Sequence, residues 1–536
     1  MRFSQYLIPV QLILVLVVAA CSRQVPLPQN QRLAVQLFDN QSADASNQWI
    51  STLLAYSMVY GLGNESQLAP GIVNDAEGWR TLGSGRLLNG TIRREGKAIR
   101  IEARLTDTAT SAILRRFEDV VSEEKLLSCA GRMLESLLGV KASIPVYGNA
   151  TWKEFAQAQS SPNIDGLSAF LVRHPSFAPA YPILAELYLR FGKRAEAVAL
   201  ADRLPAGADA LSRAQLTFTV ASGQQAKLKA LEAVAQLRPG DPRIHAELAL
   251  LAAASGEWTL AALQYRELTR LEAGKADWWN SLGYAEANLN RLPAAVAALN
   301  EYRRLAPQEP NPIDSLGEVY YMNRQFKQAG LYFDEESQRF PAFQNGAAWR
   351  KAAFAYFFAG DLKTADQRFE NWMKQVLVNA PPSTQSFERA MWFARTGRAK
   401  QAEELLKQEA VGTSGDRKLA AELHLAMIQF GLRGKRPEPA ALAAFSTQLK
   451  DPRLRSEFAI FALLSQAAKD EAELIVKMGP VISQPQFAAV NAELLAAAKK
   501  LMAAPSTEKP KVFPLPNAAD SPIDAVLLRW HLAVIP

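Results

Sequence analysis

Two cysteines, Cys21 and Cys129, and four histidines, His174, His245, His424 and His531, are the side chains best suited to nucleophilic or metal chemistry. No histidine stands at metal-ligand spacing from a cysteine or another histidine, so no zinc-type site is expected. The adjacent carboxylates Glu403 and Glu404 fall on a predicted helix with Lys407 close by, the pattern of a solvated face rather than an acid/base pair. Gly83-Ser84-Gly85 lacks a third glycine at dinucleotide-loop spacing and precedes a strand, so it reads as a turn. There is no Gly-x-Ser-x-Gly elbow and no Walker-type loop. The expectation is a protein that is not an enzyme and needs no cofactor or metal. A catalytic module too diverged to show a motif is the competing class. Cys129 lies among Leu126, Leu127, Met133, Leu134 and Leu137 and reads as a packing residue.

Cys21 is placed differently. One charge at Arg2 precedes an apolar run from Tyr6 to Ala20, interrupted only by Pro9 and Gln11, which has the length of a signal-peptide core rather than a membrane span. The run ends in Val18-Ala19-Ala20-Cys21. This resembles the lipobox of bacterial lipoproteins, and the resemblance implies that residues 1–20 are removed and that Cys21 is the lipidated first residue. Several buried acyl chains hold a protein stably on a bilayer. Ser22 after the cysteine, by the same resemblance, points to the outer membrane and a periplasmic location. An uncleaved apolar anchor, or a plain signal peptide with a chance cysteine, are the alternatives. With Cys21 acylated, Cys129 has no partner for a disulfide, so stability must come from packing.

Hydrophobic residues make up 49% of the chain, enough for extensive cores. Loss of residues 1–20 lowers the formal charge from +7 to +6. Lys and Arg are scattered among Asp and Glu, as on solvated helices, so no nucleic-acid partner is expected.

Residues 21–31 form a polar, proline-bearing tether, and residues 32–145 a compact α/β or α+β domain. Leu33 to Phe38 alternates as a strand, and Asn47 to Tyr60 reads as a helix. Arg86 to Arg93 pairs with Ala98 to Leu105 across Glu95-Gly96-Lys97, and a strand near Ile113 to Phe117 precedes a helix from Glu123 to Leu138. The stretches 33–40 and 88–107 resemble the TolB-like amino-terminal domain, which implies an interaction or assembly module without catalytic residues.

From residue 150 to 410 the texture is alanine-rich and periodic. Three frames align: His245, Leu248, Ala249, Gly256 and Tyr265; Trp279, Leu282, Gly283, Ala295 and Leu299; Ile313, Leu316, Gly317, Ala329 and Phe333. They begin 34 residues apart, and Pro307 and Pro341 close the second and third. This resembles tetratricopeptide (TPR) repeats. A frame from Trp349 follows after a two-residue slip. Residues 411–503 read as further, degenerate helical pairs, and 504–536 as a proline-rich tail. The expected fold is mainly α, a TPR-type α-solenoid behind a small α/β or α+β domain.

The repeat resemblance implies that first helices line a peptide groove. The positions one, five and nine residues after each frame start are Asn280, Tyr284 and Asn288; Asp314, Glu318 and Met322; and Arg350, Phe354 and Phe358. Asparagines can hydrogen-bond an extended backbone and aromatics can bury its side chains. The competing reading makes Phe354 and Phe358 ordinary packing between repeats. The expected function is a membrane-anchored periplasmic scaffold that binds proteins or peptides. The alternative is an accessory component of an outer-membrane assembly or transport complex.

Overall fold

The computed structural model describes residues 32–462, apart from 43, 64–67, 69, 74–84, 142–143, 145–146, 161–162, 434, 436, 452–453, 456–457 and 459–460. The signal segment, Cys21, the tether, the tail and His531 lie outside the described residues. The chain divides into two compact units, Met1–Ala285 and Glu286–Pro536. Among the described residues no helix is long and apolar enough to cross a membrane.

The first unit opens with a sheet of strands β1 (Leu33–Gln36), β2 (Asp39–Asn40), β3 (Gly71–Val73), β4 (Arg86–Glu95), β5 (Ala98–Asp107) and β6 (Ile113–Ser122), in the order β3-β1-β4-β5-β6 with β2 also on β4. Strands β3, β1 and β4 are parallel, and β4, β5 and β6 antiparallel. Period-two alternation sets the faces: Ile99, Ile101, Ala103 and Leu105 are buried, while Arg100, Glu102 and Arg104 point the other way. Helices α1 (Gln48–Gly61) and α2 (Leu126–Leu138) share the buried core with the sheet. A Cβ at Gly90 would come 2.6 Å from Cε1 of Phe38 and 2.1 Å from the Glu102 carbonyl oxygen, so only glycine fits beneath that ring. The expected hairpin is present, with Gly96 left-handed (φ +65°) at its turn. Cys129 is fully buried, as expected of a packing residue, and burial pushes its thiol pKa up to about 12.

Helices α3 (Asn149–Ser160) and α4 (Ile164–Arg173) follow. The core does not stop at the boundary expected near residues 145–150. Trp152, Phe155, Phe170 and Phe177 are fully buried and join Tyr56 and Tyr60 of α1, with ring centroids 5.6 Å apart for Tyr56 and Phe155. The helical array and the sheet therefore share one core. A second attachment lies far along the chain. Arg32, just before β1, is 3% exposed and pairs with Glu272 (2.9 Å) while donating to the carbonyl of Leu271. Trp278 Nε1 donates to the other Glu272 oxygen (2.6 Å).

The remaining helices come in sequence as α5 (Ala180–Arg190), α6 (Arg194–Arg203), α7 (Ala210–Val220), α8 (Gln224–Leu237), α9 (Pro242–Ala254), α10 (Trp258–Leu271) and α11 (Ala276–Asn288). The second unit continues with α12 (Leu292–Leu305), α13 (Asn311–Met322), α14 (Phe326–Arg339), α15 (Ala347–Phe358), α16 (Leu362–Gln375), α17 (Pro382–Arg395), α18 (Ala399–Gly412), α19 (Gly415–Arg433) and α20 (Pro439–Gln448). The protein is thus mainly α, with tandem helix pairs at the tetratricopeptide period behind a small α/β layer.

One turn motif enforces the pairing. Gly192, Gly256, Asn290, Arg324, Gly360 and Gly397 are left-handed, and in each case the next residue's N–H bonds the carbonyl five residues back, for example Glu257 to Ala252 and Arg291 to Glu286 (both 2.9 Å). This is the Schellman helix end. From Gly256 onward these turns recur at 34, 34, 36 and 37 residues. The two-residue slip is a short turn at Phe343–Gly346, where Gln344, Asn345 and Gly346 are all left-handed.

Candidate protein-interaction site

The nine positions expected to face a groove lie on α11, α13 and α15. On α11, Asn280 and Tyr284 are half-buried and Asn288 is exposed. On the other two helices the expectation holds only in part. Asp314 (3% exposed), Arg350 (7%) and Phe354 (3%) are interior residues, and only Glu318, Met322 and Phe358 keep appreciable exposure.

The correction has a physical cause. The side chains at these positions meet the next helix pair before they meet solvent. Lys351, fully buried on α15, donates from Nζ to Asp314 Oδ1 (2.7 Å), Glu318 Oε1 (2.7 Å) and Gln344 Oε1 (3.2 Å). Gln344 donates in turn to Asp314 Oδ2 (3.0 Å), which ties the left-handed turn to α13. Arg350 lies over Trp372 (4.8 Å to the ring centroid), and Phe354 packs edge-on against Trp392 at 5.5 Å with Arg395 over its face at 4.2 Å. Phe354 is therefore packing, as the competing reading had it. Phe358 sits between the two readings: it packs on Tyr321 and Phe326 yet remains 36% exposed.

The electrostatics of this interior were not legible beforehand. Glu336 on α14 is fully buried, and no donor reaches either carboxyl oxygen among the described residues. Burial, reinforced by the negative charge of Asp314, pushes its pKa up to about 9, so near neutrality it carries a proton toward Asp314. Burial also raises Asp314, although Lys351 pulls the other way. Burial alone would lower Lys351, but Glu318 and Asp314 outweigh it and hold the ammonium above its ordinary value. Deeper in the same unit Asp334 accepts from Tyr356 Oη (2.8 Å) and from both Nε (2.5 Å) and Nη2 (2.8 Å) of Arg368. A sequence signal did exist, since Lys351 interrupts the apolar run Ala347–Phe358. Its acceptors could not be named without the register set by the 343–346 turn.

Close packing is seen at Gly317, one of the frame glycines, and also at Gly330, which the sequence reading did not single out. A Cβ at Gly317 would lie 2.5 Å from Cε1 of Phe333, and one at Gly330 would lie 2.9 Å from Cζ of Tyr356. The three described histidines have local partners. His245 is held by Gln264 (2.7 Å) and the Pro239 carbonyl (3.0 Å), and His424 stacks on Phe387 at 3.8 Å. His174 lies 3.1 Å from Glu154. Glu403 is buried rather than solvated, with Lys407 at 3.8 Å and Gln429 at 3.3 Å. Among the described residues no group of three or more His, Cys, Asp and Glu side chains has a geometry that could hold a metal ion.

On α11 the side chains of Asn280, Tyr284 and Asn288 keep some exposure; separately, in the second unit, Met322 and Phe358 remain accessible on α13 and α15. Such side chains can bind, through amide hydrogen bonds and half-exposed apolar groups.

No family model matches the sequence, and no curated protein matches it. Among solved structures the chain is similar to MamA protein, at 19% identity over 28% of this chain and 82% of that one, with a TM-score of 0.26. It is similar to a tetratricopeptide repeat protein from Parabacteroides merdae ATCC 43184, at 13% identity over 52% and 96% of the two chains, with a TM-score of 0.28. It is also similar to a chain of the Naa15/Naa10 complex bound to HypK-THB, at 13% identity over 65% of each chain, with a TM-score of 0.35.

Proposed function

We propose that this chain is an exported lipoprotein anchored through an acylated Cys21, a non-enzymatic, periplasm-facing scaffold on the outer membrane whose helix pairs take protein or peptide partners.

The observation that supports the binding role is the exposure left on successive first helices. Asn280, Tyr284 and Asn288 follow one another at four-residue intervals along α11, on one stripe of the helix, and Asn280 Oδ1 accepts no hydrogen bond among the described residues. The anchoring role rests on the Val18-Ala19-Ala20-Cys21 pattern.

The test of binding is crosslinking and pull-down from intact cells carrying the tagged full chain, repeated with Asn280, Tyr284 and Asn288 replaced together by alanine. Helicity and melting should be unchanged and the partner lost. A partner retained at parental yield moves the binding surface elsewhere, first to the sheet layer. For the anchor, Cys21→Ser should abolish incorporation of labelled fatty acid and release the protein from the membrane fraction. Labelling that persists in the variant removes that part of the proposal.

A further inference from the structure

Strand β6 pairs with β5 on one side, and among the described residues no strand lies along its other side. An open edge of this length, 10 residues, is ordinarily blunted by charges or irregularities. Near the start of β6 the pairing with β5 shifts between Leu105 and Thr106. Near its end the N–H of Val120 bonds the Asp119 carboxylate (2.9 Å). The stretch between them is open. On β5, the N–H of Asp107 bonds toward β6, to the Ala112 carbonyl (2.9 Å), and that of Thr108 bonds away from it, to the Gly85 carbonyl (3.0 Å). Odd-numbered residues of β5 therefore face β6, and the register pairs them with Phe117, Asp119 and Val121. By alternation the backbone groups of Arg116 and Glu118 point outward, away from the sheet.

We propose that β6 is the edge through which two copies of this chain pair, antiparallel and two-fold symmetric about Phe117, so that one sheet runs on into the other. The argument is the order of charge along the strand: Arg115-Arg116-Phe117-Glu118-Asp119 is positive on one side of the aromatic and negative on the other. Centred on Phe117, an antiparallel second copy sets Arg116 opposite Glu118 and Arg115 opposite Asp119. It also sets Leu114 opposite Val120, which are 47% and 48% exposed. Moving the centre by one residue sets Glu118 on Glu118 or Arg116 on Arg116, and like charges directly opposite are destabilising. The charges thus select a single register. In that register the outward backbone groups of Arg116 and Glu118 exchange their N–H···O bonds, and the Phe117 pair takes the unbonded place where side chains come closest. Phe117 already packs against the core beneath the sheet, so the two rings meet on that side. Arg115 is held by the Ser136 carbonyl (3.2 Å) and Asp119 by Arg132, which leaves Arg116 and Glu118 as the pair that decides recognition. Arg100 lies 2.6 Å from Glu118, so in the pair each carboxylate sits between two guanidinium groups. The contact is isologous and small, so the pair is reversible and depends on concentration.

The test reads capture of one copy by another. The full chain is expressed with two different tags in the same cells, solubilised in detergent and pulled down by one tag while the other is measured. The parent should capture its second copy. Arg116→Glu in both copies, or Glu118→Arg in both copies, sets like charges opposite each other at two symmetric places and should lower capture about tenfold or more. With Arg116→Glu on one tag and Glu118→Arg on the other, opposite charges face each other again at both places, and capture should return to the parental level. The double variant in both copies should do the same. Recovery in the mixture is a result that two misfolded chains would not give. A parent that captures no second copy leaves the edge to some other strand and overturns the proposal. Capture that the single variants retain, or that is lost in them and not regained in the mixture, overturns it as well.

Discussion

Glu336→Gln tests the buried carboxyl most directly. The folded protein holds a proton on Glu336 up to a pH of about 9, whereas in the unfolded chain the same group releases it near its ordinary value of 4.5. A carboxyl whose pKa rises on folding contributes its full stability only below the unfolded value, and loses it as pH climbs toward the folded value. Each unit of pH in that interval costs about 1.4 kcal/mol, so at pH 7 the penalty is about 3 kcal/mol. Asp314, also raised by burial, adds a loss of the same sign. Glutamine keeps the shape and a donor toward Asp314 and has no proton to lose. Lys351, Glu318 and Gln344, the other groups around Asp314, are untouched by the change. The variant should therefore match its parent near pH 4.5, exceed it by about 2–3 kcal/mol at pH 7, and show a flatter pH profile. Denaturant unfolding of both proteins at pH 5, 7 and 8.5 measures this. A parent whose midpoint does not fall between pH 5 and 8.5, or a variant less stable than the parent at pH 7, refutes the reasoning.

Two further substitutions probe the same unit. Lys351→Met strands Asp314 and Glu318 without their shared ammonium and should cost about 3 kcal/mol, read as an earlier denaturation midpoint; a neutral effect would dissolve the ion network. Gly317→Leu forces carbon into the Phe333 ring and should cost about 1–3 kcal/mol or more, so a variant that melts with the parent would place that helix contact elsewhere.

The repeat register was legible because it is written several times over. Three frames at 34 residues, each with a small residue at the same place (Ala249, Gly283, Gly317) and a large one sixteen residues on (Tyr265, Leu299, Phe333), make the pairing readable. The hairpin of β4 and β5 was legible for a different reason, since the turn Glu95-Gly96-Lys97 marks its centre and the alternation of Ile99, Ile101, Ala103 and Leu105 along β5 leaves little choice of face. Strands β2 and β3, of two and three residues, show no period to read. The groove positions were misjudged where the counting rule treats each first helix as if it stood alone. Asp314 satisfies the rule, but Lys351 reaches it from the next pair, and that reach depends on three left-handed residues at Gln344, Asn345 and Gly346. Long-range partners of this kind have no local signature.

The clasp at Arg32 has a mechanical consequence. Tension applied to the chain ahead of residue 32 meets, as its first resistance, a guanidinium bonded to the Leu271 carbonyl and to Glu272, some 240 residues away along the chain. The next element in line is β1, hydrogen-bonded in parallel to β3 on one side and β4 on the other. A pull along β1 loads both ladders in shear, so their bonds share the force instead of parting one by one. The load path then passes through Glu272 to the indole of Trp278, at the start of the helix that carries Asn280, Tyr284 and Asn288. Strain applied ahead of residue 32 is thereby delivered to the start of α11.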